Sequence, residues 1–177
     1  MRQLLPANKT GPVLDFGCGE GLLLAVAQSL GYDDLTGVDI SGALLQKAAQ
    51  RTSAKLHHAD GLGLLKASPN GAFEAIIAFD ILEHLTRPEL LETSREISRT
   101  LKPGGRLIVR VPNGGSAYSG PIYWSDLTHE RLFTRGRLSN CLNRLASTVS
   151  KLWRLRRWAY TGLKVGFKPR FGTFSAP

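Results

Sequence analysis

The sequence predicts an α/β chain built on a doubly wound, mostly parallel sheet. Three observations carry that prediction. Val13-Leu14-Asp15-Phe16 runs straight into a turn with glycines at alternate positions (Gly17, Gly19, Gly21), and Leu22–Gln28 behind it is a strong helix former. Phe73-Glu74-Ala75-Ile76-Ile77-Ala78-Phe79-Asp80 is an apolar run of strand length, the pattern of a strand covered on both faces. Around these, strand-like and helix-like stretches alternate through short connections, which favours parallel pairing in βαβ units.

In order, residues 1–12 read as a polar lead-in ending in the turn residues Asn8-Lys9-Thr10-Gly11-Pro12. The first strand is Val13–Phe16, and its helix spans about Glu20 to Leu30, with Gly31 as the closing glycine. Leu35–Ile40 is the second strand, followed by a helix over Gly42–Arg51 with Ser41 as N-cap. Lys55–Asp60 is a weaker third strand. After Phe73–Asp80 a helix starts near Pro88, tolerated in a first turn, and ends at Leu101-Lys102-Pro103-Gly104-Gly105. Arg106–Asn113 is the fifth strand.

The 177 residues fit one domain, and 42% hydrophobic with 21% charged residues is the composition of a globular protein. No apolar run reaches the roughly 20 residues of a membrane span, and the first six residues are too short for a signal peptide. Cys18 and Cys141 form neither a disulfide framework nor a CxxC pattern, so a reducing, cytoplasmic setting is expected. The net charge of +9 is uneven: residues 131–177 hold 11 Lys and Arg and no acid.

A strand, a glycine turn and a helix opening behind it form a cradle for a nucleotide-like ligand, because backbone approaches the ligand closely and free helix N–H groups face it. A pyrophosphate site wants G-x-G-x-x-G; here the spacing is G-x-G-x-G, and Asp15 sits inside the strand end. That carboxylate disfavours an anion and favours an ammonium. Asp39, at the end of the second strand, is placed to accept from ribose hydroxyls, and Asp60 either caps a helix or accepts from an adenine amino group, with Gly61 and Leu62 bordering the ring.

Over residues 13–113 the segments V-L-D-F-G-C-G-E-G, V-D-I-S, H-A-D-G, F-E-A-I-I-A-F-D-I-L-E-H-L and L-K-P-G-G-R-L-I-V-R-V-P-N resemble, in order and spacing, the successive motifs of class I S-adenosylmethionine (SAM)-dependent methyltransferases. The nearest branch is similar to the ubiquinone-pathway O-methyltransferases and related small-molecule and glycan enzymes. The resemblance implies a Rossmann-like fold, SAM as cofactor, and a cofactor site from Asp15, Gly17, Gly19, Gly21, Asp39, Ile40, Asp60, Gly61 and Phe79. It implies transfer to an acceptor, expected at oxygen of a small molecule, lipid precursor or glycan.

On the acceptor side, Gly114–Pro121 has lid composition and leads to Tyr123-Trp124-Ser125-Asp126-Leu127-Thr128-His129, with Thr134 capping the next helix. This D-x-T-H segment is similar to one in the same branch, which makes Tyr123 and Asp126 substrate candidates. His84 and His129, each beside an acid, are the candidate bases. Related enzymes hold a divalent ion with an acid-x-x-Glu-His set, so Asp80, Glu83, His84 and His129 are the metal candidates; the preferred reading is a structural Glu83-His84 pair and no metal.

Beyond the lid the resemblance fades. Residues 1–135, with lid 114–130, are expected to form the core, and 136–177 a basic, helical, partly disordered extension. Leu138, Leu142, Leu145, Val149, Leu152 and Trp153 keep helical spacing, and only Lys164–Lys168 reads as a late strand, so the C-terminal hairpin is expected to be incomplete. Lys151-Leu152-Trp153-Arg154-Leu155-Arg156-Arg157-Trp158 interleaves cations and aromatics, a pattern suited to a membrane surface or a polyanion as well as to a solvated tail. Two rivals remain open: an inactive SAM-binding partner protein and a nicotinamide oxidoreductase.

Overall fold

The computed structural model describes residues 4–116, 119–120, 126–146, 152–154 and 162–168. Its elements are β1 (Val13–Phe16), α1 (Leu22–Ser29), β2 (Leu35–Asp39), α2 (Gly42–Ala49), β3 (Lys55–His58), α3 (Gly61–Ala67), β4 (Phe73–Phe79), a 3-10 turn (Leu82–His84), α4 (Arg87–Thr100), β5 (Leu101–Arg110), α5 (Arg135–Ala146), β6 (Leu152–Arg154) and β7 (Gly162–Lys168). Among the described residues one sheet has the order β3-β2-β1-β4-β5-β7-β6. The first five strands pair in parallel, and β7 lies antiparallel to both β5 and β6.

The period-2 geometry of the strands splits the core into two layers. Leu14, Phe16, Ile76, Ala78, Leu107 and Val109 face Leu65 of α3, Leu90 and Ile97 of α4, and Leu138 and Leu142 of α5. Their sequence neighbours Val13, Ala75, Ile77 and Ile108 face Leu24 and Ala27 of α1 and Leu45 of α2. This is why β4 has no polar alternation: both of its faces are covered. Each fully buried Ile or Leu contributes about 1.5–3 kcal/mol relative to exposure.

Local signals set the helix starts. Ser41 Oγ accepts from Leu44 N, and Thr86 with Glu89 forms a reciprocal capping box that opens α4 ahead of Pro88. Thr134 Oγ1 accepts from Arg137 N at the start of α5. Gly31 follows α1 with φ +87°. One boundary differs from expectation: β5 begins at Leu101, and the Lys102–Gly105 stretch lies within it, with a shift of register opposite Phe73–Ala75.

The expectation of a helical extension over 136–177 is corrected. α5 stops at Ala146, and β6 and β7 complete the sheet as an antiparallel hairpin, with Leu107 opposite Val165 and Trp153 opposite Phe167. The misreading has a physical source. Leu152 and Trp153 continue the helical spacing of α5 but belong to β6, while Leu163, Val165 and Phe167 alternate as a strand should. The expected disorder and most of the Lys151–Trp158 run lie outside the described residues. No helix among the described residues is long and apolar enough to cross a membrane.

Candidate active site

In an open parallel sheet, ligands bind beyond the C-terminal strand ends where the strand order reverses. Here that point is β1–β4, because the chain moves from β1 to β2 and β3 on one side and to β4 and β5 on the other. A cavity of about 550 Å³ opens beside it, lined by the ends of β1–β3, the 3-10 turn, α4 and Thr128.

The turn after β1 is fixed by backbone. Gly17 N and Cys18 N both donate to Val38 O, and Gly17, Gly19 and Gly21 all have positive φ. At Gly17 (φ +76°) an added Cβ would fall 2.2 Å from Ile81 Cδ1, so only glycine fits. Gly21 serves another contact: its missing Cβ lets α1 approach Ala48 of α2. Gly61 is pressed against the Phe16 ring. Of the expected glycines, Gly17 and Gly61 line the cavity, while Gly21 packs one helix on the next.

Asp39 braces two loops. Its Oδ2 accepts from Gly19 N at 2.8 Å and its Oδ1 from Ser41 N at 2.8 Å, and each oxygen keeps a lone pair toward the cavity side. Ile40 is 76% exposed and lines the same space, an apolar surface left for a flat ring to cover. Asp60 caps α3, accepting from Leu62 N and Gly63 N, and it also lines the cavity. Phe16, Val38, Ile81 and Leu85 complete the wall and were missed in sequence because an apolar residue there looks like any core residue.

Asp15 is buried, and its Oδ2 has no hydrogen-bond partner. Loss of water, then the nearby Asp39, pushes its carboxyl up to about 7. The same causes hold the Cys18 thiol protonated, up to about 12: burial first, then Asp15 and Asp39. Phe79 lies outside the cavity lining; it packs on the second core layer, and the Arg110 guanidinium sits 4.8 Å above its ring.

Past β4, Asp80 takes the left-handed region (φ +55°) and pairs with Arg110, whose Nε lies 2.8 and 3.0 Å from the two carboxylate oxygens. Asp80 is thereby turned toward β5 and away from the Glu83 group. Glu83 is fully buried, and neither of its carboxylate oxygens has a partner. Burial is the main cause that raises its carboxyl to about 7. His84 lines the cavity, with its ring centroid 4.9 Å from that of His129. Glu83, His84 and His129 bring one potential metal-ligand atom each within 4.8 Å of one another.

The segment carrying His129 is docked on the 3-10 turn: Glu130 N donates to Glu83 O, and His84 Nδ1 lies 2.8 Å from Thr128 Oγ1. Asp126 is exposed and accepts from Thr128 N and Oγ1, with its carboxyl held below the ordinary range by those bonds. The structure therefore gives Asp126 a partner within its own loop. Tyr123 lies outside the described residues, as does most of the expected lid.

The sheet, with a cavity lined by Asp39 and Asp60 at its switch point, has the Rossmann-like architecture of the class I methyltransferases. The model of the "Methyltransferase domain" family matches residues 13–105, and the chain belongs to that family. The family and the fold imply SAM as the cofactor. A ribosomal protein L11 methyltransferase of Burkholderia vietnamiensis is 38% identical over 96 residues, covering 54% of this chain and 30% of that protein. Its counterpart in Ralstonia pickettii is 35% identical over 105 residues, covering 59% and 32%. The chain thus spans less than a third of the length of these relatives. In fold, a SAM-dependent methyltransferase from Archaeoglobus fulgidus aligns with TM-score 0.72 at 22% identity, covering 84% of this chain and 66% of that one. One from Methanosarcina mazei aligns at 0.69 and 20% identity, covering 94% and 92%.

Proposed function

We propose that this chain transfers the methyl group of SAM to an oxygen of its acceptor: a small molecule, a lipid precursor or a glycan, as in the branch of O-methyltransferases its motifs resemble. The observation that carries the reading is a cavity lined by Asp39, Ile40 and Asp60 and also by His84. The residues suit the cofactor. Asp39 has spare lone pairs for the ribose, Gly17 has no room for a side chain, and the Asp15 carboxylate, whose Oδ2 has no partner, lies behind the glycine turn, where a cationic group would stabilise its charged form.

Bound SAM supplies an electrophilic methyl whose C–S electron pair stays with sulfur as the new C–O bond forms. The chain contributes position and proton transfer. The glycine turn and Asp39 hold the donor, alignment being the larger effect. His84 takes the acceptor hydroxyl's proton. The relatives named for ribosomal protein L11 match 54% of this chain and 30% of their own length, so their acceptor is a weaker guide here than the side chains beyond β4 and β5.

One observation favours a second reading, a divalent ion on Glu83, His84 and His129. A buried carboxylate with no partner costs about 1–3 kcal/mol or more, and an ion beside two imidazoles removes that cost. An ion there would lower the acceptor hydroxyl's pKa and orient it. Asp80, paired with Arg110, stands outside that set.

Calorimetry with SAM and NAD side by side, followed by a turnover assay for S-adenosylhomocysteine over a panel of hydroxyl, amine and peptide acceptors, tests the reading. SAM binding with turnover on hydroxyl acceptors is expected. Asp39→Ala should weaken SAM by more than about 1 kcal/mol through lost charge-assisted bonds. NAD binding without SAM binding would end the reading, and SAM binding with no turnover on any acceptor would leave an inactive partner protein. Chelation that stops turnover but spares SAM binding supports the ion.

A further inference from the structure

Thr128 lines the cavity beside His84, and the hydrogen bonds of the Asp126-x-Thr128 pair dictate the state of that ring. Thr128 Oγ1 lies 2.6 Å from Asp126 Oδ1 and 2.8 Å from His84 Nδ1. A hydroxyl has one proton to give. The ionised Asp126 carboxylate offers only lone pairs, so the Thr128 proton goes to Asp126, and Thr128 Oγ1 accepts from whatever faces it on the other side. That group is His84 Nδ1. The second neighbour of the same nitrogen, the Thr128 carbonyl at 3.3 Å, is also an acceptor only. Two acceptors facing one ring nitrogen require a proton on it. The neutral imidazole is then the Nδ1–H form, and its lone pair is at Nε2.

We propose that Thr128 is a positioning residue, which, held by Asp126, fixes His84 as the Nδ1–H tautomer and so keeps its Nε2 lone pair free for the proton of the acceptor. Without this relay the ring would be free to place its proton on Nε2, and a ring in that form has no lone pair there. The relay joins two segments 42 residues apart, Asp126 to His84, so it forms only when residues 126–130 dock on the turn after β4. One of the docking contacts, Glu130 N to Glu83 O, is between backbone groups and does not require the Thr128 hydroxyl. Binding of the 126–130 segment and readiness of the base are thereby one event. The same tautomer serves an ion at Nε2 equally well, so the relay holds under either reading of the Glu83 group.

The kinetic part of this inference rests on the methyl-transfer reading; the tautomer does not. Nitrogen NMR on histidine-labelled protein at about pH 8, where imidazoles are neutral, reads the ring state directly, with Ala at position 84 (His84→Ala) assigning the signal. Wild type should show His84 Nδ1 protonated and Nε2 bare. Thr128→Val, which keeps the shape and loses the hydroxyl, should give a mixed or inverted ring, and Thr128→Ser should restore the wild-type signal. In turnover, Thr128→Val should lower kcat by about tenfold or more, well beyond any change in SAM affinity, and Thr128→Ser should recover most of it. An Nε2–H ring in the wild type, or identical ring states in wild type and Thr128→Val, overturns the proposal even if the protein methylates. The predicted tautomer in a protein that transfers no methyl group would leave the relay standing and remove only the activity. The wild-type spectrum decides the matter even if the Val variant fails to fold.

Discussion

At the ends of β1, β2 and β3 the cavity wall is held by hydrogen bonds to backbone, whereas past β4 and β5 ionisable side chains gather beside the cavity, with His84 among the residues that line it. On the first side Gly17 and Cys18 donate to Val38 O, and Asp39 and Asp60 are tied to backbone N–H groups of their own loops. On the second side Asp80, Arg110, Glu83, His84, Thr128 and His129 meet through side chains drawn from three segments. A backbone wall is rigid and indifferent to pH, and it suits a cofactor that is always the same. A side-chain wall is tunable, and one or two substitutions change what it accepts. The difference teaches where to look for specificity in such a fold: past β4, not in the glycine turn.

Breaking the backbone wall should cost most. Gly17→Ala puts a Cβ 2.2 Å from Ile81 Cδ1 at φ +76°, so both the turn and the cavity wall must shift. Stability should fall by about 1–3 kcal/mol, and SAM binding should drop by at least about tenfold, read by urea unfolding and calorimetry. Gly19→Ala is the control: its φ is +51°, but the added Cβ meets nothing within 4 Å. It should cost only the left-handed backbone penalty, about 1–2 kcal/mol. Equal effects of the two on SAM binding would deny that the close approach to Ile81 shapes the cavity.

A middle-sized effect comes from Asp15, which lies behind the backbone wall but is itself ionisable. Its folded pKa of about 7 stands above the ordinary carboxylate value of 3.8, so the folded state holds the proton more tightly than the unfolded state. That contribution to stability is full below about 3.8 and is lost as pH rises through about 7. The ligand-free protein should therefore lose stability relative to Asp15→Asn across that window, seen as converging or crossing urea midpoints. Saturating SAM should narrow the gap, since a nearby cation favours the ionised carboxylate. A difference between the two proteins that is flat with pH would mean that Asp15 is ionised in both states.

How far each side was legible in the sequence follows from the same contrast. Gly17, Asp39 and Asp60 could be read because a turn and two strand ends impose residue types at short, fixed spacing. Even there Gly21 was credited to the ligand when its work is the α1–α2 approach, since a missing Cβ looks alike for either purpose. Phe79 was placed in the cofactor wall, and the structure gives its ring to Arg110 and the core. The pairing of His84 with Thr128 spans 44 residues, and no local pattern announces it. The hairpin was hidden for another reason: Leu152 and Trp153 extend the apolar period of α5, and strand pairing with β7 overrides that local signal.

The smallest effect on stability, and the sharpest test of the side-chain wall, is Arg110→Ala. The Asp80–Arg110 pair is nearly half exposed on both sides, 44% and 46%, so solvent screening keeps its contribution to stability within about 0–1 kcal/mol despite the bidentate geometry. Its place is more telling than its strength. Arg110 closes the end of β5, covers the Phe79 ring and holds Asp80 in a left-handed conformation that a non-glycine residue adopts at a cost. Without the guanidinium, Asp80 is free to turn toward Glu83, and two carboxylates at that spot repel each other. The urea midpoint and SAM affinity should then stay near wild type, while turnover falls and its dependence on pH shifts upward, because a second carboxylate raises the Glu83 pKa further. A variant with wild-type turnover and an unmoved pH profile would show that the wall past β4 is set by Glu83, His84 and the docked segment without help from β5.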